Sequence, residues 1–166
     1  LLDDFFAQLL QTLQQRGLLN NTVIIGVTDH YAYTMNDQQR VRELSHVPAD
    51  LLVERTPCFI WSADMQSMTV SKPCNTTDLV PTLLNLFGMD CAGYLGHDIF
   101  DETYAGYAIF SDGSWITSDA VYQNGAVAYT FPNHTITQAE ITAMNTRTSR
   151  YLAANNQILS SDYYRR

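Results

Sequence analysis

The chain has 166 residues, 46% of them hydrophobic and 16% charged, which is enough to bury a core and excludes a disordered tail or linker. With a net charge of −8 and only nine Lys and Arg, scattered along the chain, it lacks the basic surface that nucleic-acid binding needs. An acidic chain can still hold phosphate through a metal ion, so phosphoryl chemistry stays open.

Leu2, Phe5, Phe6, Leu9, Leu10 and Leu13 fall on one face of a helix over residues 1–16, and Gly17 supplies its stop. This helix should cover the sheet beside the next element. Val23 to Val27 is an apolar, β-branched run too short for a helix. It reads as a buried, parallel strand that ends abruptly at Thr28-Asp29-His30. The carboxyl end of such a strand faces the ligand crevice of an open α/β sheet. Asp29 and His30 together offer a carboxylate oxygen and an imidazole nitrogen, a pair suited to Zn²⁺, Mn²⁺ or, through the carboxylate, Mg²⁺. The competing role is a cap for the turn that follows.

Tyr31 to Asp37 is a polar, aromatic loop, in which Tyr31 either hydrogen-bonds a bound phosphate or glycerol group or packs on the rim. Asp37 to Leu44 is helix-forming, capped by Asn36 or Asp37, and His46 lies in a connector without an assigned role. Thr56 to Ser62 is the next strand, with Pro57 confined to its start and Cys58 read as core. After a polar connection, Asn75-Thr76-Thr77-Asp78 opens a helix with Thr76 or Thr77 as cap and Asp78 at its positive end. Leu79, Val80, Leu83, Leu84, Leu86 and Phe87 should bury a broad face before Gly88 ends it. Asp78 therefore reads as a capping carboxylate rather than a catalytic one. His97-Asp98 sits in a short loop after Gly96 and reads as structural.

From Thr103 the composition changes to short β-type runs at 107–110, 114–117, 120–122 and 126–131, separated by Ser-Asp-Gly, Ser-Asp and Asn-Gly turn signals. This predicts an antiparallel meander. Thr137 and Glu140 form a capping box for a helix from Gln138 to about Ser160, whose Ile141, Met144, Tyr151, Leu152, Ile158 and Leu159 pack on the meander.

Cys58, Cys74 and Cys91 form no CxxC pair, which excludes a zinc ribbon or thioredoxin motif; Cys74–Cys91 is a conceivable bridge if the protein is extracellular. The Asn-x-Ser/Thr matches at Asn20, Asn75 and Asn133 are expected by chance. A Gly-rich phosphate loop, a GxSxG elbow and an HExxH motif are absent, and no stretch approaches the roughly twenty apolar residues of a membrane span. The chain starts without Met in mid-amphipathic pattern, which suggests a piece of something longer.

Four ordered stretches carry a family resemblance: Gly17–Tyr33 with Asp29-His30-Tyr31, Asn75–Gly88, Tyr94–Phe100, and the ending Leu159–Arg165. Together they resemble the C-terminal part of the lipoteichoic acid synthase branch of the sulfatase/alkaline phosphatase superfamily. The resemblance implies an α/β fold: residues 1–102 as the C-terminal part of a sandwich with a largely parallel sheet, and residues 103–166 as a small antiparallel sheet with a C-terminal helix. It implies Asp29 and His30 as two ligands of one Mn²⁺ or Mg²⁺, with a Thr nucleophile and an acidic ligand upstream. It further implies a phosphatidylglycerol-type donor, the remainder of the catalytic domain as partner, and the extracellular face of a Gram-positive membrane. The chain alone should then be inactive and bind metal weakly. Thr28 and Ala32 stand where the branch often has Gly, which bears on loop shape and substrate. Another superfamily member (a sulfatase, phosphoethanolamine transferase or phosphodiesterase) fits the same motifs, and a non-catalytic cell-envelope binding module is the reading from a different class.

Overall fold

A computed structural model describes residues 1–35 and 37–165. Its contacts group into two units, Leu1–Thr69 and Val70–Arg166, so that residues 70–102 fall with the meander. The fold is mixed α/β, built from two small antiparallel sheets and flanking helices. Among the described residues no helix is long and apolar enough to cross a membrane.

In the first unit, helix α1 (Leu2–Gln15) ends where the sequence places its stop. Gly17 takes φ +68°, and the Gly17 and Leu18 amides donate to Gln14 and Leu13 at 3.0 and 2.9 Å. That left-handed step satisfies two carbonyls of the last turn. Strand β1 (Val23–Val27) pairs with β2 (Cys58–Ser62), with Gly26 opposite Phe59. A Cβ on Gly26 would collide with the Phe59 ring, so the glycine lets that ring lie across β1. Phe6 of α1 meets the same ring edge-on at 5.4 Å, which fixes the helix over this face of the ladder.

Two expectations for β1 are corrected here. Its ladder with β2 is antiparallel, and it is not buried: Val27 is 52% exposed, and Val23 and Ile25 also face solvent. A continuous apolar run reports what a strand is suited to, but it carries no information on the direction of its partner. The open face belongs to Val23, Ile25 and Val27, on the side away from the Phe59 ring. Cys58 is exposed rather than core, with its thiol pushed up by partial desolvation.

Helix α2 (Gln38–Ser45) is capped by Asp37, whose Oδ1 accepts the Arg40 amide at 2.9 Å; the other candidate cap, Asn36, lies outside the described residues. His46 ends the helix in the left-handed conformation, a backbone role with no bearing on a site. Val41, Ala49 and Leu51 bury together with the 3-10 turn Asp50–Glu54, and Arg42 pairs with Asp50 at 2.7 Å.

The second unit starts from a 3-10 turn, Thr76–Asp78, that runs into α3 (Leu79–Leu86). The cap is Asn75 rather than Thr76 or Thr77. Asp78 Oδ2 accepts the Asn75 amide at 2.8 Å, and Oδ1 accepts the His97 amide at 2.8 Å. Asp78 is buried, so both oxygens are satisfied by backbone donors and the carboxylate serves the structure. The Asn75 side chain is itself used as a piece of strand: its Oδ1 accepts from the Ile109 amide and its Nδ2 donates to the Ile109 carbonyl. Thr82, fully buried, donates to the Asp78 carbonyl and accepts from the Ile99 amide. Gly96 lies against the Thr77 backbone with no room for a Cβ, so the His97-Asp98 loop closes directly on the helix start.

The broad apolar face expected of α3 is only partly covered: Leu79, Leu83 and Leu84 are half-buried, Val80, Leu86 and Phe87 are exposed, and full burial falls on Asp78, Pro81 and Thr82, where the loop packs. Cys74 and Cys91 form no disulfide.

Strands β3 (Ala108–Ile109), β4 (Trp115–Ile116), β5 (Ala120–Gln123) and β6 (Ala126–Thr130) form the antiparallel meander in sequence order. Asn124 and Gly125 both take positive φ, the two-residue turn that matches strand twist. Helix α4 (Gln138–Ser161) opens on the Thr137–Glu140 capping box. Trp115 is fully buried, stacked on Tyr122 at 5.0 Å, and its Nε1 donates to Asn145 Oδ1 on α4 at 2.8 Å. Met144, Ile141, Tyr151 and Leu152 close this core as expected. Leu159, by contrast, is 72% exposed and packs on nothing there.

Candidate metal centre

Antiparallel pairing does not move the end of β1. The strand still stops at Val27, and the next three residues stand at its carboxyl edge. Thr28 Oγ1 donates to the Pro57 carbonyl at 3.3 Å, which ties this exit to the chain entering β2. Asp29 then turns one oxygen back: Oδ1 accepts the His30 amide at 3.0 Å, an Asx-type contact that sets the carboxylate's rotation.

His30 is oriented from its other side. Its Nδ1 lies 2.7 Å from the Tyr31 carbonyl, so Nδ1 carries the proton and donates, leaving Nε2 with its lone pair in the neutral ring. A backbone carbonyl holding one ring nitrogen is the usual support of a metal-ligating histidine. The Tyr33 ring meets the imidazole at 4.5 Å and 65°, and Tyr31 meets Tyr33 edge-on at 5.8 Å.

The two atoms left over are Asp29 Oδ2 and His30 Nε2, and they are 3.5 Å apart. Two ligands held at about 2.1 Å from one ion with a tetrahedral angle between them are about 3.4 Å apart. That separation is compatible with two ligands of one divalent cation, with the other donor of each side chain occupied by backbone. The Asp29 side chain is 86% exposed, so a cation there is reached from solvent without disturbing the fold.

Two donors are not a complete site. Among the described residues no group of three or more His, Cys, Asp or Glu could hold a metal. Asp78 is committed to the Asn75 and His97 amides. Asp98 accepts from Asn85 and from the Phe100 amide, and His97 stacks on Tyr104 at 4.4 Å with its ring nearly parallel. His97-Asp98 and Asp78 thus form a structural cluster in the second unit, as the sequence reading held.

Tyr31 enters the geometry through its carbonyl, a role that no side-chain reading could assign, while its half-buried ring touches Tyr33. Tyr33 itself was missed. Its only signal was the aromatic density of Tyr31-Ala32-Tyr33 directly after the acidic pair.

The family model described as Sulfatase matches residues 1–89, a span that includes Asp29 and His30. The chain is 27% identical over 172 aligned positions to the lipoteichoic acid synthases of Staphylococcus aureus strains USA300 and NCTC 8325, with 99% of this chain and 27% of each relative covered. It spans about a quarter of the length of the curated relatives it matches.

Proposed function

The chain belongs to the sulfatase family, and from that membership we propose that it forms part of a metal-dependent phosphoglycerol transferase acting in lipoteichoic acid synthesis. Family membership implies use of a divalent metal, and the proposal puts Asp29 and His30 among its ligands. The observation that carries this is the 3.5 Å convergence of Asp29 Oδ2 and His30 Nε2 while Oδ1 and Nδ1 are tied to backbone. In this reading the ion is Mn²⁺ or Mg²⁺, and its other ligands, with the Thr nucleophile, come from the remainder of the catalytic domain. An alkaline phosphatase-like sandwich, with residues 1–102 in the larger lobe and 103–166 as its appendage, belongs to the same proposal.

When bound, such an ion supplies Lewis acidity that acidifies a hydroxyl nucleophile and offsets charge on an attacked phosphate. The chain's own residues do the positioning. The Tyr31 carbonyl holds the Nδ1 proton, so that in the neutral ring Nε2 is the nitrogen with the free lone pair. The His30 amide holds Asp29 in a rotation that offers one oxygen only. Tyr31 is proposed to contact the glycerol phosphate group through its hydroxyl, and a phosphatidylglycerol-type lipid at the outer face of the cell membrane is the proposed donor.

The test is glycerol phosphate transfer by the full-length protein carrying Asp29→Ala, His30→Ala or Tyr31→Phe. The first two should reduce turnover to background with the protein still folded, and Tyr31→Phe should weaken it by about tenfold, as loss of one positioning hydrogen bond does. Turnover unchanged by Asp29→Ala would end the metal assignment and leave the binding-module reading.

A further inference from the structure

Helix α4 carries a second feature that the metal centre does not use. Thr146, Arg147, Arg150 and Tyr151 lie at three- and four-residue spacings, on a stripe adjoining the one that sends Met144 and Thr148 into the core. With Leu95 from the loop before His97 they border an open surface groove of about 400 Å³. Ala143 and Ala154, one at each end of the stripe, keep it open because neither side chain can fill it.

The lining includes two arginines and no carboxylate, in a chain where 17 Asp and Glu outnumber nine Lys and Arg. Three other arginines are matched, Arg40 with Glu43, Arg42 with Asp50 and Arg165 with Asp162, while Arg16 and Arg55, in the first unit, have no ion-pair partner among the described residues. Among the described residues neither Arg147 nor Arg150 has an ion-pair partner.

Arg147 is nonetheless held in place. Its guanidinium carbon lies 5.1 Å from the centre of the buried Tyr107 ring, which is in turn gripped edge-on by His97 and Tyr104. A guanidinium resting on an aromatic face keeps its N–H donors for another partner. The wall beside it is also fixed, because Tyr151 and Thr77 share a hydroxyl hydrogen bond of 2.8 Å.

We propose that this groove is a binding site for a phosphate ester, with Arg147 and Arg150 as the two cationic donors. The two residues are about one helical turn apart, about 4.5 Å of rise, so both line the same groove within reach of one ligand. The non-bridging oxygens of a phosphate are arranged tetrahedrally about phosphorus and can accept from more than one Arg fork, in a monoester or a diester. Leu95 and the alanines offer apolar contact to the ester's carbon portion. A free phosphate monoester and a polyol phosphodiester chain share this chemistry.

The experiment is an amide-resolved NMR titration of the 166-residue chain with inorganic phosphate, glycerol phosphate and glycerophosphoglycerol, with chloride at matched ionic strength as control. Saturable shifts confined to the α4 stripe and the loop at Leu95 are expected, with Kd of about 1 mM for the preferred ligand. Arg150→Gln should weaken binding at least about tenfold without changing the thermal midpoint, since Arg150 makes no contact that the fold needs. Preference for the diester would identify a polymer chain as the source, and equal response to the monoester a small phosphate ester. Shifts reproduced by chloride, absent altogether, or unchanged in the Arg147→Gln/Arg150→Gln double variant would overturn the proposal. Asp29→Ala should leave these shifts intact, so failure of the metal assignment and failure of this site are read separately.

Discussion

The two units carry similar apolar content into different outcomes. In the second, Trp115, Ala120 and Val121 are completely excluded from solvent, and Tyr104, Tyr107, Ile109 and Met144 close around Trp115 and Ala120. In the first, the buried apolar residues are Val41, Ala49 and Leu51, all near α2, while Val23, Ile25 and Val27 of β1 stay exposed. The unit with the candidate metal donors is thus the one whose sheet has an open face. A strand's composition states what it can bury; whether it does so depends on what is there to cover it.

The largest effect that can test this contrast is loss of Trp115. Trp115→Ala removes a fully buried indole and leaves Asn145 without its Nε1 donor, and should cost about 3 to 5 kcal/mol in denaturant unfolding of the second unit. A loss below about 1 kcal/mol would mean the meander core is not what holds that unit together. Next is Asp78→Ala, which leaves the Asn75 and His97 amides without their acceptor and should cost about 3 kcal/mol, at 1–3 for each orphaned donor. Asp78→Asn, which keeps both oxygen-side contacts only in part, should fall between that and the wild type.

Thr137→Ala should cost about 1 kcal/mol through the lost cap of α4. That cap also has a pH signature. The Thr137 amide and, secondarily, its hydroxyl hold the Glu140 carboxyl below its ordinary value. Because the folded value lies below the unfolded one, the contribution is present above the unfolded Glu value and fades as pH falls through the folded one. Wild type and Glu140→Gln should therefore converge in thermal midpoint on acidification; a constant difference across pH would exclude the carboxylate as the cause. The smallest effect belongs to the open face of β1: Val27→Ser, at its most exposed position, should change stability by no more than about 1 kcal/mol. A loss of several kcal/mol there would show that β1 is covered in the molecule and would remove the contrast between the units.

The same difference explains what could be read in advance. Local signals were sufficient wherever a residue's role is set by its immediate neighbours in the chain. Gly17, the Asn124-Gly125 turn and the Thr137–Glu140 box each act within five residues, and each stands where the sequence put it. The direction of β1's partner was not legible, because β2 arrives after thirty residues of connection and apolar runs of either pairing look alike. Nor was Asn75's pairing with Ile109, a contact across 34 positions that the capping preference of the neighbouring threonines obscured. At the candidate metal centre, residue types pointed to Asp29 and His30 as candidates, but the contact of the Tyr31 carbonyl with the His30 ring depends on how the backbone turns after the strand.

Asp29 and His30 are proposed to present two donors to one divalent ion. Calorimetric titration of Mn²⁺ into the full-length protein, wild type against Asp29→Ala, tests it most directly, with the 166-residue chain alone as comparison. The account predicts tight binding in the full-length wild type, weakened at least about a hundredfold by Asp29→Ala, and only weak binding by the chain alone. Equal affinity in wild type and Asp29→Ala would contradict it.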